Sequence, residues 1–305
     1  MRAGAKPIGK NVQTLITGAG CHSRRDSRQG TQSMEIPFTK LHGNGNDFIV
    51  IDEYHRLVIP DDMKGQFAAL YCDRRFGIGA DGVIYLMKSA KDDLKMRLLQ
   101  PDESEAEMCG NGIRCLAKAA FDAGYVKTSC TVETPAGSIG VTIENTEDGF
   151  SATVMMTRPQ FDRKDIPATG TGEYREQIGD FEVYAVNTGV PHAVIVVDAV
   201  DAIDVAAVAP PIRRHATFPN GANVNFVEKT GENSIRIRTF ERGVEEETLS
   251  CGTGATASAA VVHRLGLTGD IVEVETRGGP LTIHLKGMTK LEGPATTVFT
   301  GIIPY

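Results

Sequence analysis

Cys109-Gly110-Asn111-Gly112 and Cys251-Gly252-Thr253-Gly254 are two copies of one tetrad, C-G-x-G, lying 142 positions apart (251 less 109). With 6 cysteines and 33 glycines in 305 residues, roughly 0.07 such tetrads are expected by chance, so a pair requires an explanation. The same spacing relates Gly124 to Gly266, Glu133-Thr134 to Glu275-Thr276, and Gly137 to Gly279. Upstream it relates Gly79-Ala80-Asp81 to Gly221-Ala222-Asn223. Earlier still the spacing becomes 146 (189 less 43), linking Gly43 to Gly189, Asn46 to His192 and Asp52 to Asp198, as a loop of different length demands. The chain therefore holds two copies of one supersecondary plan.

Working outward from the tetrads, each copy reads the same way. A strand opens it, at 48–52 in the first copy and 193–198 in the second. A helix-like segment at 63–73 precedes a strand at 83–87, and the second copy shows a strand-like run at 224–227. A further strand, 96–99 or 235–240, leads through an acidic loop to the tetrad. Good helix formers follow at 113–123 and 255–265, and Gly124 and Gly266 stand where a helix C-cap glycine belongs. Short alternating strands at 131–141 and 271–285 close each copy. The helix after each tetrad is apolar nearly all round, which predicts burial. Strands outnumber helices, so the class is α+β, with a strongly bent sheet wrapping a central helix in each copy. The two equivalent helix N-termini are expected to face one cleft.

Composition narrows the function classes. At 41% apolar residues the chain is long enough for two ordinary cores. A net charge of −7 and the lack of a basic stripe with interleaved aromatics argue against nucleic acid as a partner, and no apolar run approaches a membrane span. Residues 1–33 carry six Lys and Arg against one acid, Asp26, with no apolar period. A transit-like segment, a disordered tail and an over-long start with translation beginning at Met34 all fit; the third is preferred, and these residues are set aside from the fold. Six cysteines without a secretory leader predict reduced thiols in a cytoplasmic protein, with Cys72, Cys115 and Cys130 as small buried hydrophobes.

Two cysteines opening two buried helices suit one chemistry. Inverting an α-carbon needs a proton removed from one face and another delivered to the opposite face. A thiol serves as acid or base when its pKa, ordinarily about 8.5, is moved toward the working pH, and a helix N-terminus is expected to pull it that way. The free N–H groups there also grip a carboxylate and stabilise the charge it gains as the proton leaves. No metal or cofactor is called for.

The segments Leu41-His42-Gly43-Asn44-Gly45-Asn46-Asp47-Phe48, Met108-Cys109-Gly110-Asn111-Gly112-Ile113-Arg114-Cys115 and Glu241-Arg242-Gly243 with Cys251-Gly252-Thr253-Gly254-Ala255 resemble those of diaminopimelate epimerases. The likeness runs from about Phe38 to Phe299-Thr300-Gly301. It implies two pseudo-symmetric domains, each a β-barrel-like sheet around a central helix, with the C-terminal strand returning to the first. The halves are then 34–157 plus 293–305, and 158–292. It implies cofactor-independent interconversion of LL- and meso-diaminopimelate on the route to lysine, in a possible homodimer. Cys109 and Cys251 would be the base/acid pair, with His192 and Glu241 adjusting their protonation. Asn46, Asn223 and Arg242 would hold the distal end of the substrate, and the backbone at Gly110-Asn111 and Gly252-Thr253 the reacting carboxylate.

The chain departs from the family pattern at Val190, where an asparagine is frequent, at Gln100-Pro101-Asp102 in place of Asn-x-Asp, and at Gly82 in place of glutamine. The loop from Glu241 to Cys251, with Val244-Glu245-Glu246-Glu247, is one residue longer. Gln100 still offers an amide to a substrate and Val190 does not. Proline, hydroxyproline or histidine therefore stay open as substrates. Among rival readings, Gly77-Ile78-Gly79-Ala80-Asp81-Gly82 fits a dinucleotide fingerprint but is preceded by helix and followed by strand, the reverse of what that motif needs. Glu245-Glu246-Glu247 reads as a solvated acidic loop, and Glu241 with Arg242 as an exposed ion pair unless the family role holds. A zinc protein lacks ligand spacing, and a thiol-redox protein would cycle through a disulfide that should silence an epimerase.

Overall fold

The computed structural model describes residues 35–304. The readings made for residues 1–33, Met34 and Cys21 lie outside these residues. The first copy comprises β1 (Glu35–Gly43), β2 (Asn46–Glu53), α1 (Lys64–Tyr71), β3 (Gly82–Met87), β4 (Leu94–Leu99), β5 (Glu105–Ala106), α2 (Gly110–Asp122), β6 (Ser129–Thr134), β7 (Gly137–Thr146) and β8 (Gly149–Met155). The second comprises β9 (Arg175–Ile178), β10 (Phe181–Asn187), β11 (Pro191–Val196), α3 (Val205–Arg213), β12 (Asn223–Lys229), β13 (Ser234–Phe240), β14 (Glu247–Thr248), α4 (Gly252–Arg264), β15 (Ile271–Thr276) and β16 (Gly279–His284). Two strands, β17 (Lys290–Pro294) and β18 (Thr296–Pro304), finish the chain. The duplication is structural. β5 and β14, α2 and α4, and β6 and β15 match end to end at the spacing of 142 (252 less 110 for the helices).

Each copy interleaves two parallel crossovers. β2 pairs in parallel with β3 across α1, and β4 with β6 across α2. In the second copy β11 pairs with β12 across α3, and β13 with β15 across α4. The sequence pattern shows no helix where α3 lies, because Pro210 and Pro211 read as breakers. Asp204 caps it nonetheless, its side chain accepting from Ala207 N at 3.2 Å, and the apolar Val205, Ala209 and Ile212 bury one face.

α2 and α4 are buried as their composition predicts. Ile113, Leu116, Ala117 and Ala120 of α2 share one continuous core with Ala255, Ala257, Ala259, Val261 and Val262 of α4. Full burial of a residue such as Leu116 contributes about 1.5–3 kcal/mol. Both helices end on a left-handed glycine, Gly124 at φ +76° and Gly266 at φ +72°, a conformation glycine adopts without a Cβ penalty. The glycine-rich stretch 77–82 is a tight loop between α1 and β3, as the order of elements requires. No helix among the described residues is long and apolar enough to cross a membrane.

Strand pairing and a turn contact also join the copies. β17 pairs with β16 on one side and with β8 on the other, and β18 returns to pair with β1. The β1–β2 turn also meets the β15–β16 turn, where Asn44 Nδ2 donates to the Pro280 carbonyl at 2.9 Å. Gly278 sits so close that an added Cβ would lie 1.8 Å from the Asn44 carbonyl oxygen, a backbone atom with little room to move. Gly278→Ala is expected to destabilise the protein by about 1–3 kcal/mol through overpacking at this junction. Urea unfolding of the purified variant measures it; an unchanged midpoint would show the turns free to separate.

Candidate active site

Cys109 is the N-cap of α2 and Cys251 the N-cap of α4, each in extended backbone. The sulfurs occupy the place of a capping oxygen: Cys109 Sγ accepts from Gly112 N and Cys251 Sγ from Gly254 N, both at 3.4 Å. Asn111 Nδ2 donates to the carbonyl of Ser250, the residue before Cys251, at 3.2 Å. A Cβ placed on Gly252 would lie 3.9 Å from Gly110 Cα and from Asn111 Oδ1. The two helix starts thus abut, and glycine permits the approach.

Around this pair the strands set the remaining side chains. Asn46 opens β2; its Oδ1 accepts from the Cys109 thiol at 3.6 Å and from Asn111 Nδ2 at 3.2 Å. His192 and Asn223 face each other in the parallel register of β11 and β12. Asn223 Oδ1 accepts from Arg242 N at 2.7 Å, which ties the end of β13 to this edge. Glu241, half-buried beside Arg242, accepts from the Thr248 hydroxyl. Its carboxyl is within hydrogen-bonding reach of Cys251, and its charge acts on both thiols. One carboxyl thus acts on the ionisation of both sulfurs.

Electrostatics here overturn one expectation. Burial pushes the Cys109 thiol up, against the Gly112 N–H that stabilises its thiolate. Cys251 is driven well above the ordinary thiol range, by burial first and the neighbouring Glu241 charge second. A helix terminus supplies about 0.3–1 kcal/mol, under one pKa unit, whereas full desolvation is worth several units. Burial wins until a ligand changes the local charge. Glu241 is itself raised by burial, with the Thr248 and Cys251 hydrogen bonds opposing.

His192 is fully buried and neutral, its pKa pushed down to about 3 by burial, with the Arg242 charge adding to the fall. Asn225 Nδ2, oriented by bonds to the Ala193 carbonyl and from the Thr239 hydroxyl, lies 3.0 Å from His192 Nδ1. Nδ1 thus faces an amide donor, and Asn223 Nδ2 lies 3.4 Å from Nε2 on the other side of the ring.

The structure brings Cys109, Cys251, Glu241, Asn46, Asn111, Gly110, Gly252 and Thr253 together, with His192, Asn223 and Arg242 at one edge. Thr253 Oγ1 is 3.4 Å from Cys251 Sγ. Gln100 is exposed in the turn after β4, its backbone N bonded to the Ser104 carbonyl at 2.8 Å. Glu241 and Arg242 form no ion pair with each other; the Arg242 guanidinium donates to the Asn220 and Gly221 carbonyls at 3.1 and 3.3 Å. The acidic run is not simply solvated either. Glu245 pairs with Arg213 and Arg214, and Glu247 with Arg238 and Arg277. A Cβ at Gly82 would meet Leu98 Cδ1 at 2.8 Å and the Leu99 carbonyl oxygen at 3.0 Å, so a larger residue there requires its neighbours to shift.

Sequence reasoning missed four contributors. Asp81 Oδ2 accepts from Asn46 Nδ2 at 2.6 Å and is the duplicate of Asn223, so the repeat could have flagged it. Asn225 shares a strand face with Asn223, another legible signal. Thr248 duplicates Ala106 and gave no sign. Arg114, in the middle of a core helix, is the fourth.

The family model for diaminopimelate epimerase matches residues 38–161 and 184–300. This chain belongs to the diaminopimelate epimerase family. It is 55% identical to the diaminopimelate epimerase of Methanothrix thermoacetophila over 271 residues, 88% of this chain and 96% of that protein. It is 52% identical to the one of Methanocella arvoryzae, over 88% of this chain and 97% of that protein. A PhzF-family phenazine biosynthesis protein from Bacillus anthracis shares the fold, with TM-score 0.67 at 18% identity over 89% of this chain and 100% of that one.

The depressed His192 pKa has a stability consequence. Between about 3 and the ordinary 6.5, the unfolded chain binds a proton that the folded epimerase does not. Folding stability is expected to fall as pH drops through that window, and His192→Gln should flatten the slope. Urea midpoints at stepped pH for both proteins measure this; equal slopes would contradict a buried neutral ring.

Proposed function

We propose that this epimerase interconverts LL- and meso-2,6-diaminopimelate, an isomerase step in lysine biosynthesis, using Cys109 and Cys251 as its two acid/base groups. The observation that carries the reading is the pair of duplicated helix starts, each capped by a thiol, with Glu241 acting on both sulfurs. The relatives named diaminopimelate epimerase match over nearly their whole length, and no observation favours proline, hydroxyproline or histidine as substrate.

The chemistry follows from the geometry. The substrate carboxylate is bound by backbone N–H groups of Gly110-Asn111 and Gly252-Thr253, and its α-carbon lies between the sulfurs. One sulfur, as thiolate, takes the α-proton while the carboxylate gains charge that the two helix starts stabilise. The other, as thiol, gives a proton to the opposite face. The α-ammonium supplies the positive charge that makes a thiolate tolerable beside Glu241. Asn46, Asn223, Arg242 and, from the turn after β4, Gln100 hold the distal end, with His192 at that edge. The partner is a small amino acid, with no role for nucleic acid or membrane, and the required thiols suit a reducing cytoplasm.

A homodimer is part of this reading. β18 pairs with β1 along one side, and it exposes Val298, Phe299 and Ile302. Self-pairing of such an edge would cover it. Light scattering is expected to give a dimer mass that Ile302→Glu lowers; a wild-type monomer would remove this part alone.

Cys109→Ala and Cys251→Ala are each expected to lower epimerisation by at least about a hundredfold, the scale of a lost general acid or base. In deuterated water the wild type should place deuterium at the α-carbon, with pyridoxal phosphate and chelator leaving the rate unchanged. Turnover of each variant by chiral chromatography is the check, and near wild-type rates in either would end the two-thiol mechanism.

A further inference from the structure

Arg114 is the largest fully buried side chain among the described residues. Its three hydrogen bonds all end on neutral oxygens: Nε to the Pro294 carbonyl at 3.1 Å, Nη1 to the Gly110 carbonyl at 3.3 Å and Nη2 to Asn44 Oδ1 at 2.7 Å. Lys64 is as deeply buried but has Glu53 at 2.9 Å. Arg114 has no carboxylate partner among the described residues. A buried cation without a counterion is unfavourable, and burial draws its pKa down to about 10, which still leaves it charged near neutrality. That charge is kept behind the helix start that carries Cys109.

The duplicated half does the same job without charge. The position equivalent to Arg114 is Thr256 (256 less 142), whose hydroxyl donates to the Gly252 carbonyl at 2.9 Å. The opposite asymmetry occurs at Glu241, whose equivalent (241 less 142) is the buried, apolar Leu99. Evolution of the repeat has thus left a positive group behind Cys109 and a negative one beside Cys251. Arg114 also polarises the Gly110–Asn111 peptide through its carbonyl, and the N–H of that peptide favours the Cys109 thiolate. Linked donors of this kind strengthen one another.

We propose that Arg114 is a positioning residue that makes the two thiols unequal, so that Cys109 is the first to ionise and Cys251 keeps its proton. This rests on the two-cysteine reading above. The groups that face each centre support it. Cys109 meets Glu241 from beyond β13, opposed by Arg114 on its own helix, and the neutral Asn46 of β2. Cys251 meets Glu241 and the Thr253 hydroxyl, with no cation. Arg114 is faced by Asn44, Pro294 and Gly110, and by Cys109 and Cys115 of α2, with no acidic side chain.

The step balances. As the α-C–H bond breaks, its proton joins the Cys109 sulfur, and as the Cys251 S–H bond breaks, its proton joins the carbon from the far side. Product leaves Cys109 as thiol and Cys251 as thiolate, and one proton moved from Cys109 to Cys251 restores the reacting form.

Only a thiolate is alkylated, so the pH midpoint of iodoacetamide reaction at each cysteine, read by peptide mass spectrometry, reports its ionisation independently of access. In the wild type, Cys109 is expected to have the lower midpoint. Arg114→Gln should raise it and slow Cys109 alkylation near neutrality by about tenfold, leave Cys251 unmoved, and Arg114→Lys should recover most of the loss. A lower midpoint at Cys251 in the wild type overturns the proposal, whether or not the variants fold. So does an unshifted Cys109 midpoint in an Arg114→Gln protein with native circular dichroism. Activity surviving in Cys109→Ala or Cys251→Ala would instead remove the reading on which it rests.

Discussion

Two helix N-termini, each carrying roughly half a unit of positive charge and unpaired N–H groups, are held against one another in a buried place. That contact is unfavourable on its own. It becomes productive only if something negative sits between the termini, and both the sulfurs that cap the helices and the carboxylate of an amino acid answer that need. Asn111 bridging to the Ser250 carbonyl, and glycine at 110 and 252, hold the termini close enough to share one ligand. The rest of the sheet serves to keep two otherwise repelling helix ends in register.

Burial is the opposing pressure. Excluding water strengthens every field in the site, yet it also disfavours each thiolate the mechanism needs, and the helix ends alone are too weak to reverse this. The molecule resolves the conflict by supplying charge unevenly around a duplicated frame: Arg114 behind one sulfur, Glu241 beside the other. Perfect symmetry would leave both thiols equally protonated. The chemistry requires one of each.

Much of this was legible beforehand. The spacing of 142 places Cys109 and Cys251 at equivalent helix starts, and α2 and α4 end on the glycines that were expected to end them. Asn223 and His192 could be set on neighbouring strands from the repeat. Other features left no trace in a linear reading. α3 was hidden because its two prolines look like breaks, although apolar contacts on one face hold the helix. The ion pairs of Glu245 and Glu247 depend on arginines from α3, β13 and the β15–β16 turn, remote in sequence from the acidic run.

The sequence by itself determined the duplication, the α+β class, the buried helices and the two thiols that open them, because these follow from periodicity, capping chemistry and a repeat, all local or countable properties. Only the tertiary structure decided how those thiols ionise, which neighbours surround His192, and that Arg114 lies uncompensated beneath the site. Those outcomes depend on burial and on the distances between distant segments. Electrostatic energy scales with surroundings that no single stretch of chain contains.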